Sequence, residues 1–397
     1  MPSPAEDPVV IVAAARTPIG GFQGRLAAAT APELGGVAVA AALARAGLAP
    51  ECVEELVMGC VLPAGLGQAP ARQAGFHAGL PDGVPATTLN KMCGSGMKAV
   101  MLAHDALKAG SAGPVVAGGM ESMSNAPYLL PKMRAGARLG HAEAKDHMFL
   151  DGLEDAYESG RLMGTFAEDC ATAFQFTREA QDAYALTSLT RARAAQGDGS
   201  FAAEIAPITL QTRGGPVTVD EDEQPLTARP ERIPQLKPAF RKDGTVTPAN
   251  SSSISDGAAA LVLMGEARAR AKGLPILARI RGHASHAQAP AGFPTAPVPA
   301  ARKLMERLGW SVADVDLWEV NEAFAVVPMA FMAETGVEHA RLNVSGGACA
   351  LGHPIGASGA RILVTLLNAM HRRGATTALA AICIGGGEGT AIALERV

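Results

Sequence analysis

The chain has 397 residues, 48% of them hydrophobic and 18% charged, with a net charge of −4. That length supports a large core and two or three domains, and the slight negative charge argues against nucleic acid or an anionic membrane surface as partner. No apolar run approaches the ~20 residues that span a bilayer. Residues 1–8 lack the pattern of a targeting peptide, and six scattered cysteines without Cys-x-x-Cys spacing suit free thiols in a reducing cytoplasm.

Taken in order, the pattern predicts a buried strand over 9–14, ended by Arg16-Thr17-Pro18, and a helix over 34–46 broken by Gly47 and Pro50. A second strand follows over 53–61, and another helix begins at 73–78. Residues 86–89 lead into a helix that ends near Gly110, with Met97, Val100, Met101 and Leu107 at helical spacing. A strand over 114–117 then stops at Gly118-Gly119. Strands alternating with helices predict a mainly parallel sheet covered on both faces. From 125 to about 247 the alternation is interrupted. This insertion carries one helix over 179–196, with Ala183, Leu186, Leu189, Ala192 and Ala195 on one side, and an acidic, loop-like stretch over 217–230. Alternation resumes with a strand over 258–263 and a second unit from Ile276.

The second unit echoes the first. Helix, turn and strand over 41–59 resemble residues 305–321, and Val115-Val116-Ala117-Gly118-Gly119 resembles Ala381-Ile382-Cys383-Ile384-Gly385-Gly386. Two copies of one α/β unit point to a site between the halves.

Four stretches carry chemistry. Cys93, in Asn90-Lys91-Met92-Cys93-Gly94-Ser95-Gly96, falls at a helix start, where unpaired N–H groups and the dipole favour a thiolate. His353 lies among glycines in Gly352-His353-Pro354-Ile355-Gly356-Ala357-Ser358-Gly359, placed to act as a base toward a cysteine. Asn321 opens Asn321-Glu322-Ala323-Phe324 at a strand end, where alone it reads as a helix cap. Cys383 precedes Gly385-Gly386-Gly387; alone it reads equally well as a small strand residue. The glycine runs fit neither a P-loop nor a dinucleotide fingerprint, which argues against nucleotide-driven or hydride-transfer chemistry.

Together these four motifs, with Ala13-Ala14-Ala15-Arg16-Thr17-Pro18, resemble the thiolase family over nearly the whole chain. The resemblance implies a duplicated fold: two βαβαβαββ core domains stacked as five layers, α-β-α-β-α, with an inserted loop domain. It puts the first core at 1–124 plus 250–275, the loop domain at 125–249 and the second core at 276–397. It implies that Cys93, activated by His353, carries an acyl group as a thioester while Cys383 removes a proton from the methyl carbon of a second acetyl-CoA. Asn321, through a held water, and His353 would stabilise one oxyanion; the N–H groups of Cys93 and Gly385 would stabilise the other. Coenzyme A is then the carrier, with no metal or redox cofactor. Ser252 matches a pantetheine-contacting serine. Met163, Phe293, Ala323 and Phe324 line the acyl and CoA path. No adenine-contacting residue carries over from the poorly matching 225–237 segment, and Leu162 stands where biosynthetic thiolases often have histidine.

Met163 with Phe293-Pro294 implies short acyl chains, mainly acetoacetyl-CoA, and residues 125–147 match a region that makes tetramer contacts. The alternatives are a broader-chain degradative 3-ketoacyl-CoA thiolase, a ketoacyl synthase and a non-catalytic acyl-CoA binder. A synthase needs no carbon base such as Cys383, and a non-catalytic member should have lost a reactive residue.

Overall fold

The computed structural model describes residue 3 and residues 6–397. Its strands in chain order are β1 (Val9–Arg16), β2 (Glu55–Gly59), β3 (Ala86–Leu89), β4 (Val115–Ser122), β5 (Ser255–Gly265), β6 (Ala278–Ala287), β7 (Leu317–Val320), β8 (Thr377–Ile384) and β9 (Glu388–Glu395). They form one sheet in the order β7-β8-β9-β6-β1-β5-β4-β2-β3, and the two-residue strand Gly20–Gly21 pairs beside β5. At the middle is a seam. β1 and β6 meet through only Val10 opposite Arg279 and Ile11 opposite Ala278. On each side of the seam the same pattern recurs, antiparallel near the centre and parallel outside. The sheet is therefore mixed, not mainly parallel. Helical crossovers make the outer pairs parallel, whereas β8 returns into β9 through the tight Gly385-Gly386-Gly387 turn.

The main helices are α1 (Ala31–Ala46), α2 (Pro70–His77), α3 (Ser95–Ala109), α4 (Met163–Ala173), α5 (Arg178–Gly197), α6 (Pro297–Leu308), α7 (Val326–Thr335) and α8 (Ile355–Arg373). Strand alternation sorts side chains into three cores. Leu261 and Leu263 of β5 face inward, onto Met97 and Val100 of α3 and Ile362 and Leu366 of α8, which also cover Ile382 and Leu394 of the other half. Val262 and Met264 face outward, with Leu34 and Val39 of α1. On the far side Trp318 and Leu379 pack against Leu304 of α6 and Phe331 of α7. The result is five layers, with α3 and α8 as the shared central one. α1 starts earlier than expected because Thr30 and Glu33 form a capping box.

Three local expectations are corrected. β4 does not stop at Gly118-Gly119 but runs through them to Ser122. A Cβ on Gly118 would lie 2.0 Å from the Ala259 carbonyl oxygen, and one on Gly119 2.0 Å from that of Gly356, so these glycines admit neighbouring backbone. The acidic 217–230 stretch is structured: Gly215–Val219 pairs with Ile208–Thr212, and Glu223–Thr227 is helical. Asp222 is anchored there as a bidentate acceptor from buried Arg16, at 2.7 and 2.8 Å. Finally, α5 buries Gln181, Tyr184 and Ser188 beside Leu189, Ala192 and Ala195, while Ala183 is exposed. Its polar face belongs to the site described next.

Candidate active site

The site begins where the two central helices cross. Gly96 of α3 and Gly359 of α8 bring backbone against backbone: a Cβ on Gly96 would lie 2.7 Å from Ala360 N, and one on Gly359 2.4 Å from Met97 N. Both helices start near this crossing, and the residues just before each start are Cys93 and His353. Their side chains line one cavity. The turn that presents Cys93 is strained, with Met92 at φ +46°. Such a residue costs about 1–3 kcal/mol and persists only when its surroundings hold it. Here Met92 N–H donates to Asn90 Oδ1 at 2.9 Å, Lys91 N–H donates to Ser95 Oγ at 2.8 Å, and Ser95 Oγ donates to the Met92 carbonyl at 2.6 Å. An ion pair between Lys91 and Glu388 ties this turn to the start of β9.

His353 is held with one nitrogen committed. Its Nδ1 lies 2.5 Å from Ser358 Oγ, and that hydroxyl donates to the Pro354 carbonyl at 2.9 Å. With the hydroxyl proton spent on the carbonyl, Nδ1 carries the ring proton and donates it to Ser358. Nε2 is left as the basic nitrogen, and it is buried without a protein partner.

Burial sets the protonation of this pair. It pushes the Cys93 thiol up to about 11, although the Gly385 N–H and its own N–H favour the thiolate. Burial, with the Arg361 charge, pushes His353 down to about 3. Both groups are thus neutral at pH 7 before anything binds, and the helix-start preference for a thiolate is overridden by desolvation. In the free protein, alkylation of Cys93 by iodoacetamide is expected to rise about tenfold per pH unit from pH 7 to 10. A plateau with a midpoint below pH 7.5 would reverse that assignment.

The remaining expected residues come from the second half. Cys383 is the penultimate residue of β8, fully buried, and its thiol is raised well above its ordinary value by burial and by the nearby Cys93 sulfur. Asn321 follows β7 and donates its backbone N–H to the Ala381 carbonyl at 3.0 Å, two residues from Cys383. Neither polar atom of its buried side chain has a protein partner, which suits a water or an oxyanion rather than a helix cap. Gly385 lines the cavity, and its N–H converges with that of Cys93 on the Cys93 sulfur.

The cavity measures about 340 Å³. Met163, Phe293, Ala323 and Phe324 line it, joined by Leu162 and Phe240. Phe324 contacts both Phe240 and Phe293 edge-on, at 5.9 and 6.5 Å between ring centres. Ser252 is at the rim, its N–H and Oγ both donating to the Ala323 carbonyl, at 3.0 and 2.9 Å. A second cavity shares Pro248 and Ser253 with the first and is lined by Arg229 and Arg232.

Sequence reasoning missed two buried carboxylates that frame the site. Glu322 accepts from Tyr184 Oη (2.9 Å), Asn343 Nδ2 (2.9 Å), Ser188 Oγ (2.7 Å) and Cys349 N–H (3.0 Å), which fastens the Asn321 loop to α5 and to the Gly-rich segment before His353. Glu121 accepts from Val61 N–H and from Gly356 N–H, both at 2.9 Å, the latter at the start of α8. Burial raises it to about 7. The available signal was an acid closing an apolar strand with no cation near it in sequence.

A nucleophilic thiol, a base with a free nitrogen, two converging amide donors and a second thiol can form and resolve a covalent acyl intermediate. The comparisons agree with that chemistry. Residues 9–267 match the family described as Thiolase, N-terminal domain, and residues 274–396 match Thiolase, C-terminal domain. An acetyl-CoA acetyltransferase of Pseudomonas aeruginosa is 52% identical over 390 residues, covering 98% of this chain and 99% of that one. One from Cupriavidus necator is 52% identical over 392 residues, with 98% and 99% coverage. The crystal structure of the Bacillus anthracis acetyl-CoA acetyltransferase superposes with a TM-score of 0.96 at 42% identity, covering 100% of both chains. On its family matches, its five-layered duplicated fold and its relatives, the chain belongs to the thiolase family.

Proposed function

We propose that the chain condenses two acetyl-CoA molecules to acetoacetyl-CoA and CoA, and in reverse cleaves short-chain 3-ketoacyl-CoA with CoA. The observation that carries this reading is that Cys93, His353 and Gly385 line one cavity, with the buried Cys383 thiol near the Cys93 sulfur. His353 Nε2 takes the Cys93 proton as the sulfur attacks the thioester carbonyl. The N–H groups of Cys93 and Gly385 receive the developing oxyanion. The carbon–sulfur bond to CoA breaks, CoA leaves with the proton from His353, and acetyl-Cys93 remains. Cys383 then passes its own proton to the neutral His353 and, as the thiolate, removes a methyl proton from the second acetyl-CoA. Its raised proton affinity makes its thiolate a strong base, and Asn321, through a water, and His353 stabilise the enolate. The carbanion attacks acetyl-Cys93, a carbon–carbon bond forms as the carbon–sulfur bond to Cys93 breaks, and the departing Cys93 thiolate takes a proton back from His353. CoA is the carrier, and no step calls on a metal or redox cofactor.

In this reading the loop domain, 125–249, joins the cores at 1–124 plus 250–275 and at 276–397 to close the CoA path. Ser252 meets the pantetheine, and the cavity at Arg229 and Arg232 takes the phosphate-bearing end, as guanidinium chemistry favours. We also read the protein as cytoplasmic, which its six free thiols favour, as part of fatty acid metabolism, and as a homotetramer. Exposed Tyr128, Leu130, Met133 and Leu139 support the last. Among the described residues no helix is long and apolar enough to cross a membrane.

The aromatic wall of Phe240, Phe293 and Phe324 favours short chains over the broader degradative reading. Thiolysis of acetoacetyl-CoA should outpace that of 3-ketohexadecanoyl-CoA by at least about tenfold in kcat/KM. Faster cleavage of the long chain would overturn the short-chain assignment.

A further inference from the structure

Away from the cavity, α3 and β6 carry a cluster that the proposed reaction does not use. Among the described residues, His104, Asp105 and His283 are grouped with one ligand atom each, all within 4.8 Å of one another. Asp105 Oδ1 lies 3.2 Å from His104 Nδ1 and 2.8 Å from His283 Nε2. The two rings meet edge-on at 5.1 Å. A tetrahedral ion with bonds of about 2.0–2.1 Å holds its ligands roughly 3.3 Å apart, so the two Asp105 spacings need only a small opening, and a modest adjustment of the imidazoles brings all three onto one ion.

Exposure and charge fit as well. The imidazoles are largely covered, at 14% and 16% of their side-chain surface, whereas Asp105 is 53% exposed and leaves an open side for water. Burial keeps His104 below its ordinary value, so it is neutral and able to ligate at pH 7. Partial burial works against ionisation of Asp105, but hydrogen bonds from His283 and His104 outweigh it and hold the carboxyl below its usual range. Lys108, on the same helix, donates its Nζ to the Asp7 carbonyl at 3.0 Å, and its charge also helps keep His104 neutral. Two nitrogens and one carboxylate oxygen select zinc and its neighbours over magnesium or calcium.

We propose that His104, Asp105 and His283 bind one late first-row divalent cation of the zinc class, with water completing the shell. The ion would join α3 of the first half to β6 of the second, beside the seam where the two half-sheets share little pairing. It is a site for stability, separate from the thiol chemistry. Co2+ is the probe, titrated into full-length protein carrying Cys93→Ser and Cys383→Ser so that the active-site thiols do not compete. One equivalent should give the visible absorption of low-coordinate Co2+ and be displaced by Zn2+. Zn2+ should also raise the melting temperature of the unsubstituted protein. Adding His283→Ala or His104→Ala should weaken Co2+ binding by more than the roughly 10–100-fold typical of losing a supporting partner. His283→Gln serves in place of His283→Ala if circular dichroism shows the alanine variant unfolded. Absence of a saturable one-equivalent spectrum, or a spectrum that persists in folded His variants, overturns the proposal.

Discussion

Cys93→Ala is expected to lower turnover at least about 10⁴-fold in both directions, because it removes the only atom that carries the acyl group in the proposed cycle. The protein should remain folded. Cys93 is followed directly by a helix whose packing rests on Met97, Val100 and Leu107, none of which is altered. Two measurements make the test sharp. Thiolysis of acetoacetyl-CoA reports turnover, and mass spectrometry after brief exposure to acetyl-CoA reports an acetyl adduct. Adduct and turnover should vanish together. Turnover that survives without an adduct would mean direct transfer between two CoA thioesters, and the role given to His353 would fall with it.

Cys383→Ala should separate the two halves of the reaction. The proposed base for the methyl carbon is gone, so carbon–carbon bond formation should fall by about 10³-fold or more, near the usual limit of acid–base catalysis. Acylation of Cys93 uses His353 and the two amide donors instead. Exchange of labelled CoA into acetyl-CoA, which needs only that first half, should stay within about tenfold of the unsubstituted protein. Equal loss of exchange and condensation would show that Cys383 shapes the pocket instead of taking the proton.

How far the sequence reveals this molecule depends on the range of the forces involved. The duplicated unit was legible because helix, turn and strand recur locally, and 41–59 and 305–321 do fold alike. The helix start at Cys93 was legible for the same reason. What the local pattern could not disclose is what each segment meets. Gly118-Gly119 reads as a strand ending until Ala259 and Gly356 are seen pressed against it. The acidic stretch around Asp222 reads as solvated until Arg16, two hundred positions earlier in the chain, is found buried beneath it. On α5, Tyr184 and Ser188 look like interruptions of an apolar face, yet they are the donors that hold Glu322. The protonation of Cys93 failed in the same way. The N–H groups at a helix start are local and the sequence displays them, while desolvation belongs to the closed cavity and outweighs the Gly385 and Cys93 N–H groups that favour the thiolate. The candidate site residues stand out because the four motifs occur together, not because any one of them is persuasive alone.

The seam between the half-sheets has a consequence for how the protein is made. β1 leaves the ribosome first, yet Val9 pairs with Gly265 and Ile11 with Ala278. Apart from the bridge of Arg16 to Ile205 at its end, everything between must be translated before that strand finds a sheet partner, a wait on the order of tens of seconds at ordinary elongation rates. During it, an apolar strand stands with both edges open, the kind of surface that aggregates or recruits a chaperone. Pairing at such separation is also slow to form, since the closure of a long loop precedes any gain from contact. A nascent chain ending before Ser255 lacks β5, the strand that links β1 to β4. The first half therefore cannot complete its sheet until the insertion has emerged, and the two copies mature almost together at the end of synthesis.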